Sequence, residues 1–248
     1  MDGSRPGRTW ALVSEQAASH GGRVSAGDAC AAAVAAAEVT GGWLSAERNG
    51  EAGHLIRVTD GVSKRLAELQ LTMGEGPSFD VVASGGVVLA SDLAAGEYGH
   101  RWPAFAPAAV TAGAAAIFVF PLRIGAIQAG TLGLYRDQPG SLNESQLGDA
   151  LTLADTATLL MLDGHDQDAG NGTGPGGQPA NLALHRAEID QATGMLTEQL
   201  GVGIADAFLR LRAYAYAHDL QLTDVARDII ARRLRLRPDP GPFWDGDV

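Results

Sequence analysis

The sequence predicts an α+β chain: an antiparallel sheet flanked by helices, followed by a small three-helix bundle. Three observations carry that prediction. Between 10 and 163, short β-type runs alternate with alanine-rich helical patterns, and two pairs of those runs bracket hairpin turns. From 164 to 180 the chain is rich in Gly and Pro and has few apolar groups to bury. From 181 to 237 three helical patterns follow one another, each with an apolar stripe that requires a partner.

Residues 1–9 are polar, contain glycine and proline, and are expected to be loosely ordered. Helical patterns cover 10–17 and 27–39, the second with Asp28 near its start. The β-like runs 43–46 and 54–58 flank Arg48-Asn49-Gly50, a turn signal that predicts a hairpin. Residues 60–69 read as a short helix or loop, 81–84 as helix, and 87–90 as a strand closed by Ser91-Asp92-Leu93. One helix is expected over 102–112, with Pro103 in its first turn. Apolar strands at 116–123 and 128–135 are joined by Gly125-Ala126. The long amphipathic pattern over 143–162 spaces Leu147, Leu151, Ala154, Thr158 and Met161 by three or four, on one helical face.

In the last part Leu182, Ile189 and Leu196 fall seven apart, with Ala192 and Leu200 beside them, and Gly201-Val202-Gly203 closes that helix. The second helix turns Ala207, Phe208, Leu211 and Ala215 to one side, and His218-Asp219 connects it to a third that starts near Thr223. The third carries Val225, Ala226, Ile229, Ile230 and Leu234 toward a core. Arg227, Arg232, Arg233, Arg235 and Arg237 crowd its end, where helical spacing would set the last four in two adjacent rows.

Net charge is −11, which argues against general affinity for nucleic acid. The excess is local: 1–180 carries −9, 181–237 carries +1, and the tail 238–248 adds Asp239, Asp245 and Asp247. No run approaches the roughly 20 apolar residues of a membrane helix, and no apolar stretch of signal-peptide type follows Arg5 and Arg8, so a cytoplasmic protein is expected. The single cysteine, Cys30, rules out an internal disulfide and a cysteine-based metal cage; in its alanine-rich run it reads as a small buried thiol, with a redox sensor as the alternative. Six histidines are scattered without an i, i+4 pair, so no metal is expected. No nucleophile elbow or Cys/His arrangement is present, and neither an enzyme nor a cofactor is expected. A flexible 164–180 would span about 20–25 Å end to end, leaving the two parts loosely joined.

Gln191-Ala192-Thr193-Gly194-Met195-Leu196, the Leu200-Gly201-Val202 turn, Ala207-Phe208 with Leu211-Arg212 and Ala215, and Asp224-Val225-Ala226-Arg227 with Ile229 together resemble the ANTAR domain, the RNA-binding module of transcription antitermination regulators. The resemblance covers roughly 182–237. It implies a homodimer that sets two bundles on tandem stem-loops of nascent transcripts. Thr193 stands where that family commonly has lysine. Ahead of it, Gly74-Glu75-Gly76-Pro77, the strand 87–90 with Ser91-Asp92-Leu93, and the hairpin from Phe118 to Leu134 resemble a GAF domain over about 10–163. That implies a sensor for a small molecule or a protein partner.

The candidate RNA-binding residues are Gln191, Thr193, Gly194, Arg210, Arg212, Tyr214, Arg227, Arg232, Arg233 and Arg235. Arginines hold phosphate, and an aromatic ring stacks on an unpaired base. Each has a plainer reading beside it: solvated cations at a helix C-terminus, close helix packing at Gly194, and rim packing for Tyr214 and Tyr216. Glu75, Phe79, Asp92, Phe118 and Phe120 are the candidate lining of a sensor pocket, with Asp80 a further carboxylate; solvated loop acids are the alternative. Residues 74–77 lack the ending of a phosphate loop and read as a turn at a pocket rim. The rival to RNA regulation is a ligand-dependent protein-interaction module whose bundle has lost RNA binding.

Overall fold

The computed structural model describes residues 4–48, 51–125, 127–163 and 178–237. The expected turn residues Asn49, Gly50 and Ala126, most of the expected linker, and the tail 238–248 lie outside them. The chain divides into two compact units, Met1–Arg186 and Ala187–Val248.

The first unit is a five-stranded antiparallel sheet covered by helices on both faces, the α+β architecture expected for it. The helices are α1 (Arg5–His20), α2 (Ala26–Ala36), α3 (Gly61–Met73), α4 (Pro77–Ser84), α5 (Gly96–Arg101), α6 (Phe105–Thr111) and α7 (Glu144–Leu162). The strands are β1 (Gly41–Arg48), β2 (Glu51–Val58), β3 (Val88–Ala90), β4 (Ala116–Ile124) and β5 (Ile127–Arg136), in the order β2-β1-β5-β4-β3. Alternate residues of β4 serve two cores. Phe118, Phe120 and Leu122 join Leu44, Leu132 and Leu134 under α1, α2 and α7. Ile117 and Val119 join Trp43, Val58 and Tyr135 under α3, α4 and α6. Because both faces are covered, the strand reads as a continuous apolar run rather than an alternating one.

Several elements differ from expectation for identifiable reasons. Helix α1 begins at Arg5, not near residue 10, because Ser4 accepts a hydrogen bond from the Gly7 amide and Pro6 occupies the first turn. Of the helix expected over 102–112 only Phe105–Thr111 forms, as α6, and the short α5 that precedes it is not among the expected elements. Trp102 precedes Pro103, which disfavours the helical region there, and its backbone sits at φ −133°, ψ 73°. In α7 the buried face is Ala150, Leu153, Ala154, Ala157, Thr158 and Leu160, while Leu151 is 40% exposed. The stripe is turned from the expected one because small residues let α7 approach the alanine-rich α2 closely, which larger leucines would prevent. Asn143 and Gln146 form the capping box that starts α7.

Gly133 carries a constraint of its own. A Cβ there would stand 2.1 Å from the Trp43 indole, so the ring lies across bare backbone of β5.

Candidate nucleic-acid interface

The second unit holds most of α8 (Gln178–Leu200), with α9 (Ile204–Ala217) and α10 (Leu222–Ile230). Helix α8 starts at Gln178, inside the stretch expected to be linker; a proline is tolerated in a first turn. Gly201, at φ 65°, closes it as expected. The buried residues Ala192, Leu196, Ala207, Leu211, Ala215, Leu222, Val225, Ala226 and Ile229 include most of the predicted stripes. Arg227 of α10 reaches Glu188 of α8 with its Nε 3.0 Å from both carboxylate oxygens, and its Nη1 lies 3.3 Å from Asp224 Oδ1.

The arginine rows are a correction. Helix α10 ends at Ile230, so Arg232, Arg233, Arg235 and Arg237 are not helical. Arg232 takes a left-handed backbone (φ 57°), its amide donates to the Ile229 carbonyl, and the Arg233 amide donates to the Asp228 carbonyl at 2.8 Å. That bond pattern is a Schellman closure, with arginine in the place usually held by glycine. Beyond it, Leu234 and Leu236 are half-buried while Arg233, Arg235 and Arg237 are exposed, the period of two of an extended chain. The Gln199 side chain donates to the Leu236 carbonyl and ties this segment to the end of α8.

The remaining candidates divide by accessibility. Gln191 and Gly194 lie on an exposed row of α8 with Ala187 and Glu198, next to Asp190. Thr193 points inward, 3% exposed, and donates its hydroxyl to the Ile189 carbonyl at 2.7 Å. Arg212 is half-buried with its guanidinium 5.7 Å from the centre of the Phe208 ring, and Arg210 is half-buried beside it in sequence. Tyr214 stacks on His218 at 4.0 Å, which occupies one face of its ring. Arg233 Nη2 lies 2.6 Å from Asp228 Oδ1. Arg227 and Arg233 are thus held by carboxylates, whereas Arg232 and Arg235 stand exposed on the segment after α10. Sequence reasoning missed the Schellman closure because arginine is not a residue that announces a left-handed position.

The five candidate pocket residues of the first unit do not converge. Phe118 and Phe120 face the α1/α2/α7 side of the sheet, whereas the carboxylate of Glu75 caps α6 on the other side. Glu75 Oε1 accepts from the Ala104 and Phe105 amides at 2.7 and 2.8 Å, so this acid ties the turn before α4 to the start of α6. Phe79 is half-buried in α4, and Asp92 is exposed and accepts from the Ala94 amide at 3.1 Å. Asp80 is engaged too: Arg101 Nε lies 2.6 Å and the Trp102 indole nitrogen 3.0 Å from its Oδ2. Tyr98 stacks on Trp102 at 5.4 Å. Phe118 and Phe120 share one face of β4 because alternate strand positions point the same way, and the sequence does not say which face that is.

Cys30 is fully buried, and its burial pushes the thiol up to about 12. The redox-sensor alternative loses its chemical basis, since a thiolate is the reactive form. Among the described residues no helix is long and apolar enough to cross a membrane, and no group of three or more His, Cys, Asp or Glu is placed to hold a metal.

Solved structures similar to this chain include two GAF domains of phosphoenolpyruvate-protein phosphotransferases. The one from Coxiella burnetii is 16% identical, covering 67% of this chain and 99% of that one with a TM-score of 0.49. The one from Acinetobacter is 15% identical, covering 66% and 98% with a TM-score of 0.47. No curated protein matches the chain. Residues 183–230 match the family model of the ANTAR domain, from the second turn of α8 to the last residue of α10. The C-terminal unit of this chain carries an ANTAR domain.

Proposed function

We propose that this protein is a cytoplasmic transcriptional regulator that binds RNA stem-loops through its ANTAR domain to control transcription antitermination. The first unit acts as a GAF-like sensor of a small molecule or protein partner. The observation that carries the reading is the ANTAR match over 183–230, immediately followed by the exposed arginines Arg232, Arg235 and Arg237. Phosphate contacts from such a segment hold RNA without choosing its sequence, and bases of the loop supply the choice. Of the candidates, Gln191, Gly194, Arg232, Arg233 and Arg235 are exposed. Thr193 supports the interior of its helix instead. A homodimer would join two weak sites and raise their effective concentration. A signal at the sensor changes RNA binding only insofar as it favours one state of the protein over another.

The test is binding to a pool of tandem stem-loop RNAs at two salt concentrations, with wild type beside a variant in which Arg232, Arg235 and Arg237 are alanine. Each phosphate contact contributes about 0.7–0.9 to the salt slope, so the variant is expected to bind more weakly with a slope shallower by about 2. One observation favours the second reading, a protein-interaction module: the position where the family has lysine is a buried threonine. A normally folded dimer with no RNA affinity at low salt would decide for it.

A further inference from the structure

The chain after α10 alternates in residue type as well as in exposure. Leu234 and Leu236 are half-buried, while Arg233, Arg235 and Arg237 are exposed. Alternate positions of an extended chain point the same way, so the three arginines stand on one side, about 6.6 Å from each to the next. Two residues of a peptide and one nucleotide of RNA contain the same number of backbone bonds. An extended peptide with a cation at every second position therefore keeps pace with consecutive phosphates of one RNA strand. Arginine suits each rung, because its planar fork meets two phosphate oxygens at once.

Two anchors hold the segment in that form. At its start the Asp228 carbonyl accepts the amides of Arg233 and Leu234 at 2.8 and 3.1 Å, and the Asp228 carboxylate accepts Nε and Nη2 of Arg233 at 2.9 and 2.6 Å. Toward its far end the side chain of Gln199, in the last turn of α8, donates to the Leu236 carbonyl. A backbone fixed in advance has less conformational freedom to lose when a ligand arrives, and this raises affinity without adding a contact.

We infer that 233–237 is a preformed phosphate ladder, on which Arg233, Arg235 and Arg237 meet consecutive phosphates of one RNA strand, and that Gln199 is the positioning residue for its far end. Gln199 touches no phosphate in this role; it acts through the backbone of Leu236. The ligand of the ladder rests on the RNA-binding reading, whereas the clamp does not.

Two variants of the full chain separate arrangement from charge. In the first, Arg235→Leu with Leu236→Arg, composition and net charge are unchanged, but the middle cation moves to the half-buried side. It should bind the tandem stem-loop pool about tenfold more weakly than wild type, with a salt slope shallower by about 0.7–0.9, the share of one phosphate contact. Affinity and slope equal to wild type would overturn the ladder. The second, Gln199→Met, keeps the length of the side chain and takes away its donor. All three cations remain, so affinity should fall about fivefold while the salt slope stays as in wild type. A shallower slope would mean that Gln199 is part of the phosphate contact itself, and unchanged affinity would mean that it positions nothing; either overturns the role. Amide hydrogen exchange at Arg233 and Leu234 reads the clamp without RNA, and should quicken about tenfold in Gln199→Met. Equal exchange in the two proteins would overturn the clamp. A wild type that binds no RNA at low salt, yet shows the difference in exchange, sinks the RNA-binding reading and leaves the clamp in place.

Discussion

Asp60 shows how much a single side chain fixes in the first unit. It caps α3 by accepting from the Ser63 amide at 2.8 Å, and it also accepts the Ser63, Thr59 and Tyr135 hydroxyls. Burial raises its carboxyl, but the bonds from Ser63, Thr59 and Tyr135 outweigh that and hold it below the usual carboxylate value. Burial and the neighbouring Asp60 push the Tyr135 phenol up. A carboxyl depressed in the folded state stabilises the protein above its unfolded value of about 3.9, and the contribution is lost as pH falls through the folded value. Asp60→Asn keeps an oxygen for the Ser63 amide but removes the charge that the hydroxyls of Ser63, Thr59 and Tyr135 bond, so it should cost about 1–2 kcal/mol at neutral pH, and the gap to wild type should close in acid. Urea unfolding at several pH values checks this; a gap that persists below the folded value would sink it. Glu75→Ala separates a cap from a pocket acid. It should cost about 1–3 kcal/mol by leaving two amides of the α6 start unbonded, whether or not any ligand is present. Gly133→Ala drives a methyl into the Trp43 ring and should cost about 1–3 kcal/mol, read as a lowered Tm. At this scale the sequence marked the residues but not their partners. Glu75 stood in a conspicuous Gly-rich turn, yet the amides it caps lie about 30 positions further on, and Tyr135 is 75 from Asp60.

Among the elements, helix ends rather than helix interiors separate expectation from structure. The interiors of α2 and α9 and of the strands β4 and β5 follow helical patterns or apolar runs visible in the sequence, whereas α7 turns a stripe of smaller residues inward than the pattern suggests. Ends depend on one backbone conformation. Glu38, Asp219 and Arg232 are all left-handed residues, at φ 50°, 51° and 57°, that close α2, α9 and α10 where glycine is customary. In each case the amide of the next residue donates to a carbonyl five back: Val39 to Val34, Leu220 to Ala215, and Arg233 to Asp228. Since a left-handed backbone costs a non-glycine residue roughly 1–2 kcal/mol, Arg232→Gly should raise the unfolding free energy by about 0.5–1 kcal/mol while weakening RNA binding. Opposite signs in the urea midpoint and the RNA titration are the expected outcome. A loss of stability would mean that the arginine supports the fold. The candidate site was legible to the same degree. The cations were visible in the sequence, but their display on an extended segment depends on where α10 stops, and no residue there signals a stop.

For the molecule as a whole, the order β2-β1-β5-β4-β3 puts the two longest strands, β4 and β5, inside the sheet and leaves β3 on an edge. Charge is segregated along the chain as well, with the acidic excess in the first part and a near balance in 181–237. RNA affinity should consequently fall faster with the number of acids near the arginine segment than with total net charge. The short strand at the sheet edge has a further consequence for life in a crowded solution. An unpaired strand is a template on which other chains can aggregate, and β3 offers only Val88–Ala90, ended by the turn at Ser91. A template so short gives a growing cross-β stack too few hydrogen bonds to hold its first added strand, so this edge resists fibril growth by its length alone.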